Sequence, residues 1–445
     1  MADHVDFLQA ILANSDEDAP RFIYADWLEE QGDPRGELIR LLCTLAPLGL
    51  WDPRRQGIEQ QAQALLKRHG AQWLGDLNDM ARAWKFERGL PVLTLTATDF
   101  LRHGQRLGEA GVQSVRLIDV KPHVADLAAC PHLGQLSRLD VAEQFILNDG
   151  DIALLAASPY LKNLTALEIG YNPIGDIGLG ALAASPYLGN LTRLGVSFCQ
   201  ITPKGIAALA ASQYVRGLRH LSLDKNPLEN QGVAVLAAWP GLEQLTHLDL
   251  SSTTLGYDGA RALLTTPYLH QLEALSLGNN RLGQAKWFGT EGLASLFQLA
   301  EFPHLSRLML GNNELYDQTI MALATAPMLA SVKELYLAAN QISDAGIVVL
   351  AGSPRVARLE GLVLGRNGNI TQIGAKALAS SPHLTGLRYL SLTDATLGLE
   401  GLHALRTSTT LPMGMRLFLG TEFFRFGIGA PLREAMRQRF DLGAV

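Results

Sequence analysis

Self-similarity restricts this chain more than any other feature. Leu164-Thr-Ala-Leu167-Glu-Ile169-Gly-Tyr-Asn172-Pro-Ile174 has the form LxxLxLxxNxL, and the frame starts again at Leu191, Leu218, Leu245 and Leu272, each 27 residues on. It returns at Leu305, Val332, Leu359 and Leu387. Leu136 opens a copy 28 residues before Leu164, weaker copies open at Leu90 and Val112, and a last copy opens at Gly414, 27 beyond Leu387. Each copy has a second half: residues 178–188 are echoed by 205–215, 232–242, 259–269, 346–356 and 374–384. The Ala/Leu spacing there is helical, and the proline that follows lies where a helix cannot continue. The unit is therefore a short strand, a turn, a helix and a return loop.

The residues of the unit follow from its physics. In LxL the period of two sends both leucines to one side, the interior. One unit cannot bury that side and its helix stripe alone, so neighbours must stack. Where the chain turns after the strand, backbone groups lose ladder partners, and a buried amide can satisfy them. Asn172, Asn226, Asn280, Asn313, Asn340 and Asn367 fill that position. Cys199 occupies it once and reads as structural; Thr253 and Ala395 break the pattern, and looser turns are expected there. Helices are wider than strands (about 10 Å against about 4.8 Å), so stacking predicts an arc with a parallel sheet inside.

The pattern resembles the leucine-rich repeat family, in the 27–28-residue subclass of ribonuclease inhibitor and the Ran GTPase-activating proteins, over about residues 90–419. The resemblance implies an α/β solenoid: a horseshoe with a parallel sheet on the concave face and helices on the convex face. It also implies binding of macromolecules, usually proteins, on the concave face. The family shares no ligand, so the resemblance names no partner.

Residues 1–85 lack the repeat. Val5, Phe7, Leu8, Ile11 and Leu12 lie at helical spacing, Pro20 opens a second helix that Gly32 stops, Asp33-Pro34 starts a third, and residues 56–69 read as a fourth. The run DEDAPRFIYADWLEEQGDPRGELIRL resembles the small repeat-companion domain that precedes leucine-rich repeats in some bacterial proteins, and Trp84-Lys-Phe86-Glu-Arg88-Gly89-Leu90 resembles its junction into the first repeat. That resemblance implies organisation and a bacterial origin, with no activity to carry over. Physically the module is an all-α cap over the bare first repeat, because terminal repeats need shielding. The expected division is a cap over 1–85 and a repeat domain over 86–445. The far end is closed by Phe424, Phe426, Ile428 and an amphipathic helix over about 429–440.

Motifs for chemistry are missing from the sequence. There is no GxxxxGK[ST], GxSxG or HExxH. Gly175-Asp-Ile-Gly178-Leu-Gly180 is glycine-rich but follows the repeat frame. Asp16, Glu17, Asp18, Asp26, Glu29, Glu30 and Asp33 could look like a catalytic carboxylate cluster, but capping and a favourable helix dipole explain Asp16, Asp18 and Asp33, and the others read as solvated helix charges. His220 and His247 hold the same repeat position 27 apart, so they are expected on adjacent rungs, with Asp249 two residues on; a metal site and a plain polar ladder are the two readings. The formal charge of −6 argues against a general nucleic-acid binder. Three widely separated cysteines suggest neither a disulfide framework nor a zinc site. The opening MADHVDFLQAILANSDED lacks the form of a signal peptide, and no long charge-free apolar run is present, so a cytoplasmic protein without a membrane span is expected.

With the LxL leucines inside, repeat positions three, five and seven face the hollow. Toward the C-terminus these positions gather Met309, Tyr336, Val363, Tyr389 and Phe418. Such a cluster reads either as a contact surface or as ordinary scattered apolar residues. The step from Leu272 to Leu305 is 33 residues, and the extra residues include Trp287 and Phe288, which would either reach a partner or pack on a lengthened helix over 292–300. The expectation is a non-enzymatic protein-binding scaffold that needs no cofactor. The alternative is a regulatory or effector component, a substrate or inhibitor of a protease, kinase or nuclease encoded nearby.

Overall fold

The computed structural model describes residues 4–15, 17–283, 295–420 and 430–442. The chain divides into two compact units, Met1–Leu218 and Arg219–Val445, taken in turn.

The first unit opens with four helices: α1 (His4–Ala13), α2 (Ala19–Glu30), α3 (Arg35–Leu45) and α4 (Pro53–Leu74). Their apolar stripes meet in a core of Leu8, Ile11, Tyr24, Ala25, Leu28, Ile39 and Cys43. Helix α4 is longer than its sequence pattern suggests, because Asp52 caps it by accepting a bond from the Arg54 N–H at 2.9 Å and Pro53 fits the first turn. The capping role expected of Asp18 is not filled. Asp18 sits at the N-cap without a side-chain cap bond, and its carboxylate instead receives Arg88 Nε at 2.7 Å. A charge-assisted bond to a guanidinium outcompetes one to a local N–H.

Arg88 lies in a hairpin. Strand β1 (Ala83–Glu87) runs antiparallel to β2 (Leu90–Thr96), so the end of the expected all-α segment, residues 83–85, is extended. Gly89 makes the turn at φ +86°, and a Cβ there would lie 2.2 Å from Ile39 Cγ1, so the turn is seated directly on α3. From β2 onward the sheet is parallel: β3 (Ser114–Ile118), β4 (Arg138–Asp140), β5 (Ala166–Glu168) and β6 (Arg193–Gly195) pair in order. Leu93, Val115, Leu139, Leu167 and Leu194 form one buried line across it. The N-terminal helices reach these rungs through Gln113 Nε2, which donates to the Leu8 carbonyl at 2.6 Å, and through Ser15 and Thr165, whose hydroxyls lie 2.9 Å apart.

The second unit holds β7 (His220–Ser222), β8 (His247–Asp249), β9 (Ala274–Ser276), β10 (Arg307–Met309), β11 (Glu334–Tyr336), β12 (Gly361–Val363), β13 (Tyr389–Ser391), β14 (Arg416–Phe418) and β15 (Asp441–Leu442), each parallel to the next. The 33-residue step leaves the register intact: Leu275 still faces Leu308. The expected closing helix is Ala430–Arg439, and a short strand that the sequence pattern did not reveal, β15, follows it and pairs with β14.

Two ladders of buried polar bonds tie rung to rung. Asn340 shows the first. Its Oδ1 accepts the N–H groups of Asn313 and Leu315 at 3.0 and 3.1 Å, and its Nδ2 donates to the carbonyls of Leu310 and Leu337 at 3.0 and 2.9 Å. Asn280 and Asn367 repeat the pattern, and Asn172 and Cys199 extend the slot through the first unit. The looser turn expected at Thr253 does not occur. Thr253 is fully buried, its hydroxyl donates to the Leu250 carbonyl at 2.7 Å, and its N–H is taken by Asn280. The second ladder lies at the helix ends. A serine or threonine just past the helix donates to a carbonyl at the end of the helix one repeat earlier: Ser185 to Ala156 at 2.6 Å, Ser212 to Ala183 at 2.5 Å and Ser381 to Ala351 at 2.5 Å, with Thr266 doing the same for Ala237.

Asn340→Ala leaves buried backbone groups of two rungs unsatisfied and is expected to destabilise the chain by about 2–4 kcal/mol, with Asn340→Thr costing less because a hydroxyl keeps one bond. Chemical denaturation reads this as a lowered midpoint, and equal midpoints for Ala, Thr and the parent would refute the ladder's role.

Candidate functional site

On each rung from β7 to β14 the central leucine is buried, while the residues beside it turn outward from the sheet, as the strand alternation requires. Register then decides which outward residues meet. Met309 stands opposite Tyr336, Tyr336 opposite Val363, Val363 opposite Ser391, and Ser391 opposite Phe418. Four of the apolar residues read from the sequence thus lie in one row interrupted only by Ser391, and all are half-buried. Tyr389 belongs to the neighbouring row, but its ring reaches across to Phe418, with centroids 5.1 Å apart, and bridges the gap that Ser391 leaves. The row is anchored by polar contacts: Ser276 Oγ donates to Met309 Sδ at 3.3 Å, and the Tyr336 hydroxyl donates to Glu334, which is itself paired with Arg307 at 2.8 Å. Trp287 and Phe288 lie outside the described residues.

The outward face at the start of this unit is polar. The His220 and His247 rings stack at 4.2 Å on paired rungs, and the Thr246 hydroxyl lies 2.9 Å from His247 Nδ1. Among the described residues no group of three or more His, Cys, Asp or Glu is placed to hold a metal ion. Asp249 Oδ1 accepts the Ser251 N–H at 2.8 Å, yet burial, aided by the nearby Asp224 carboxylate, holds its carboxyl above the ordinary range. All three cysteines are buried, and burial pushes the Cys43 thiol up to about 12, which makes Cys43 a poor nucleophile.

Sequence reasoning missed a second aromatic group, in the first unit. Phe145, Tyr171 and Phe198 follow consecutive strands, with ring centroids 6.0 and 5.4 Å apart. Phe145 and Phe198 are exposed and Tyr171 is half-buried. The readable signal was the turn position just before the buried amide or thiol, which Tyr171 and Phe198 occupy.

A raised carboxyl binds more protons folded than unfolded, so stability falls as pH rises from the ordinary carboxylate range through the folded value. Asp249→Asn is therefore expected to melt higher than the parent at neutral pH and to show a shallower decline from acidic to neutral pH. Parallel melting profiles would remove Asp249 as a source of that slope.

A family model described as Leucine Rich repeat matches residues 160–183, 190–210, 244–264 and 329–351. No curated protein matches the chain. Among solved structures the chain is similar to an internalin of Listeria monocytogenes, at 19% identity over 67% of this chain and 77% of that one, with a TM-score of 0.38. It is also similar to a chain of the mouse RP105/MD-1 complex, at 19% identity over 72% of this chain and 53% of that one, with a TM-score of 0.44. No described helix is long and apolar enough to cross a membrane. The four matched segments are leucine-rich repeats, and each unit stacks strand–helix rungs of this kind as an α/β solenoid.

Proposed function

We propose that this chain is a non-enzymatic protein-binding scaffold of the ribonuclease-inhibitor-like subclass, carrying a bacterial repeat-companion module at its N-terminus and acting in the cytoplasm. The observation that carries this reading is the row Met309, Tyr336, Val363 and Phe418 with Tyr389 beside it, apolar side chains on paired rungs of a sheet face that is otherwise polar. A repeat array has no packing need for large apolar groups on its outward face, and a contiguous apolar strip there serves contact with another surface. The strip is preorganised: its strands are hydrogen-bonded to neighbours on both sides, so little backbone ordering opposes association. Tyrosine and methionine are among the residues enriched where binding energy concentrates.

Tyr336→Ala combined with Phe418→Ala removes the two largest side chains of the row, at a cost of about 2–4 kcal/mol if they are central to the contact. Affinity capture from the native host, followed by mass spectrometry, is expected to lose its principal partner with the variant while the melting temperature stays close to that of the parent. Undiminished capture of the same partner would remove this face from consideration.

A further inference from the structure

The Phe145–Tyr171–Phe198 ridge of the first unit is not something the fold asks for. In the second unit the residue before the amide slot is Lys225, Ser252, Asn279, Asn312, Ala339, Arg366 or Asp394, and every one has positive φ, between 52° and 62°. The left-handed region suits asparagine and glycine and disfavours bulky side chains. Tyr171 and Phe198 occupy that same position at φ 61° and 51°, and Phe145, at φ 59°, is placed beside Tyr171 by the bond from its N–H to the Tyr171 carbonyl at 3.1 Å. Three aromatic rings thus stand on left-handed backbone at consecutive rungs. Phe145 and Phe198 remain more than half exposed, at 61% and 53%, and Ile146 next to them is 55% exposed. Backbone preference does not account for them; the rings meet one another, and the exposed faces of Phe145 and Phe198 remain open to contact with another molecule.

The neighbouring rows indicate what that molecule carries. Positions seven, directly inside the ridge, are the small residues Ala142, Gly170 and Ser197. Beyond them, on the sheet, Asp140 is paired in register with Glu168, and Glu168 with Gly195. A Cβ on Gly195 would lie 1.7 Å from Glu168 Oε2, so the glycine is what lets the carboxylate lie flat across the next rung. Two cations of this face are committed to other carboxylates, while Arg193 stands on the rung next to Glu168. Arg116 is paired with Glu143, and Arg138 with Glu87 at 3.0 Å. Among the described residues neither Asp140 nor Glu168 makes an ion pair. Burial holds the Glu168 carboxyl above its ordinary range, and repulsion from Asp140 adds to this, although Arg138 and Arg193 pull the other way. A low floor therefore lies between a bank of aromatic rings and a bank of two carboxylates that make no direct ion pair.

We propose that this floor and its two banks form a docking groove for an extended, arginine-bearing segment of a protein partner. A guanidinium is planar, stacks on aromatic faces and donates to carboxylates, so one side chain engages both banks at once. This surface lies in the first unit and does not depend on the row around Tyr336.

The test uses the full chain and three labelled Gly/Ser peptides that carry arginine, glutamate or leucine at every second position, read by fluorescence polarisation. The arginine peptide is expected to bind and the other two not. Tyr171→Asn with Phe198→Asn keeps the net charge and places a residue well suited to the left-handed backbone, and it is expected to weaken binding about tenfold or more. Asp140→Asn with Glu168→Gln is expected to weaken it comparably, while Tyr336→Ala with Phe418→Ala leaves it unchanged. Thermal melts check that each variant is folded. The proposal is overturned if the arginine peptide does not bind the parent, if the glutamate or leucine peptide binds as well, or if the asparagine variant binds as the parent does, since attraction to net negative charge alone would then explain the affinity.

Discussion

Everything in this molecule depends on one constraint: a rung of the repeat cannot satisfy its own backbone. A three-residue strand makes few ladder bonds, and the turn after it leaves N–H and carbonyl groups buried beneath the next layer. The asparagine slot answers this by lending a side-chain amide that bonds two rungs at once, as Asn340 does with residues 310–315 on one side and Leu337 on its own. The serines at the helix ends perform the same service on the opposite side of each rung, closing carbonyls that a helix terminus leaves open. Each repeat is therefore held to its neighbour through apolar packing and through buried hydrogen bonds at both ends. Loss of a single amide exposes groups belonging to two layers.

The N-terminal helices meet the same constraint at the end of the array, where no preceding repeat exists. The β1–β2 hairpin supplies the missing first rung, and Arg88 fastens it by reaching Asp18 and the Ser15 carbonyl. At the other terminus β15 plays the matching part, with Arg416 donating to Asp441 across the last pair of strands at 2.9 Å. Strand β2 carries a weak copy of the leucine frame from Leu90, whereas β1 and β15 carry none, and this is why the pattern reveals neither of those two strands.

What was legible in the sequence follows the same division. The interior positions were readable because packing allows few residues there, and Leu275 facing Leu308 across a 33-residue step shows that the leucine frame sets register even when loop length changes. The pairing of Met309 with Tyr336 and Val363 followed from that frame. Asp18 was misjudged because its partner is 70 residues away, beyond any local capping rule. Thr253 was misjudged because a hydroxyl was not recognised as able to fill an amide's place. The serine ladder was visible as a recurrent Ser-Pro and was read only as a helix stop. The aromatic ridge escaped notice because its significance rests on backbone conformation, and φ at Tyr171 and Phe198 is not written in residue spacing.

Function in a repeat array is to be sought at positions that stacking leaves free. Positions held by the leucine frame and the amide slot report on stacking, and they say the same thing in every rung. The outward positions and the left-handed turn position are under no such control, and across the second unit the latter is filled by lysine, serine, asparagine, alanine, arginine or aspartate without change of conformation. A position that accepts so many residues imposes none. When it carries aromatic rings on consecutive rungs, half-buried Tyr171 and exposed Phe198, at a backbone conformation that disfavours them, the needs of stacking alone do not select them. The same reasoning applies to the outward row of Met309, Tyr336 and Val363, where alternation alone would be satisfied by small polar residues such as Ser222 and Ser276 on earlier rungs of that unit. In a fold whose interior is repetitive by necessity, the departures from monotony on its unconstrained positions are the part of the sequence that selection for a partner can have written.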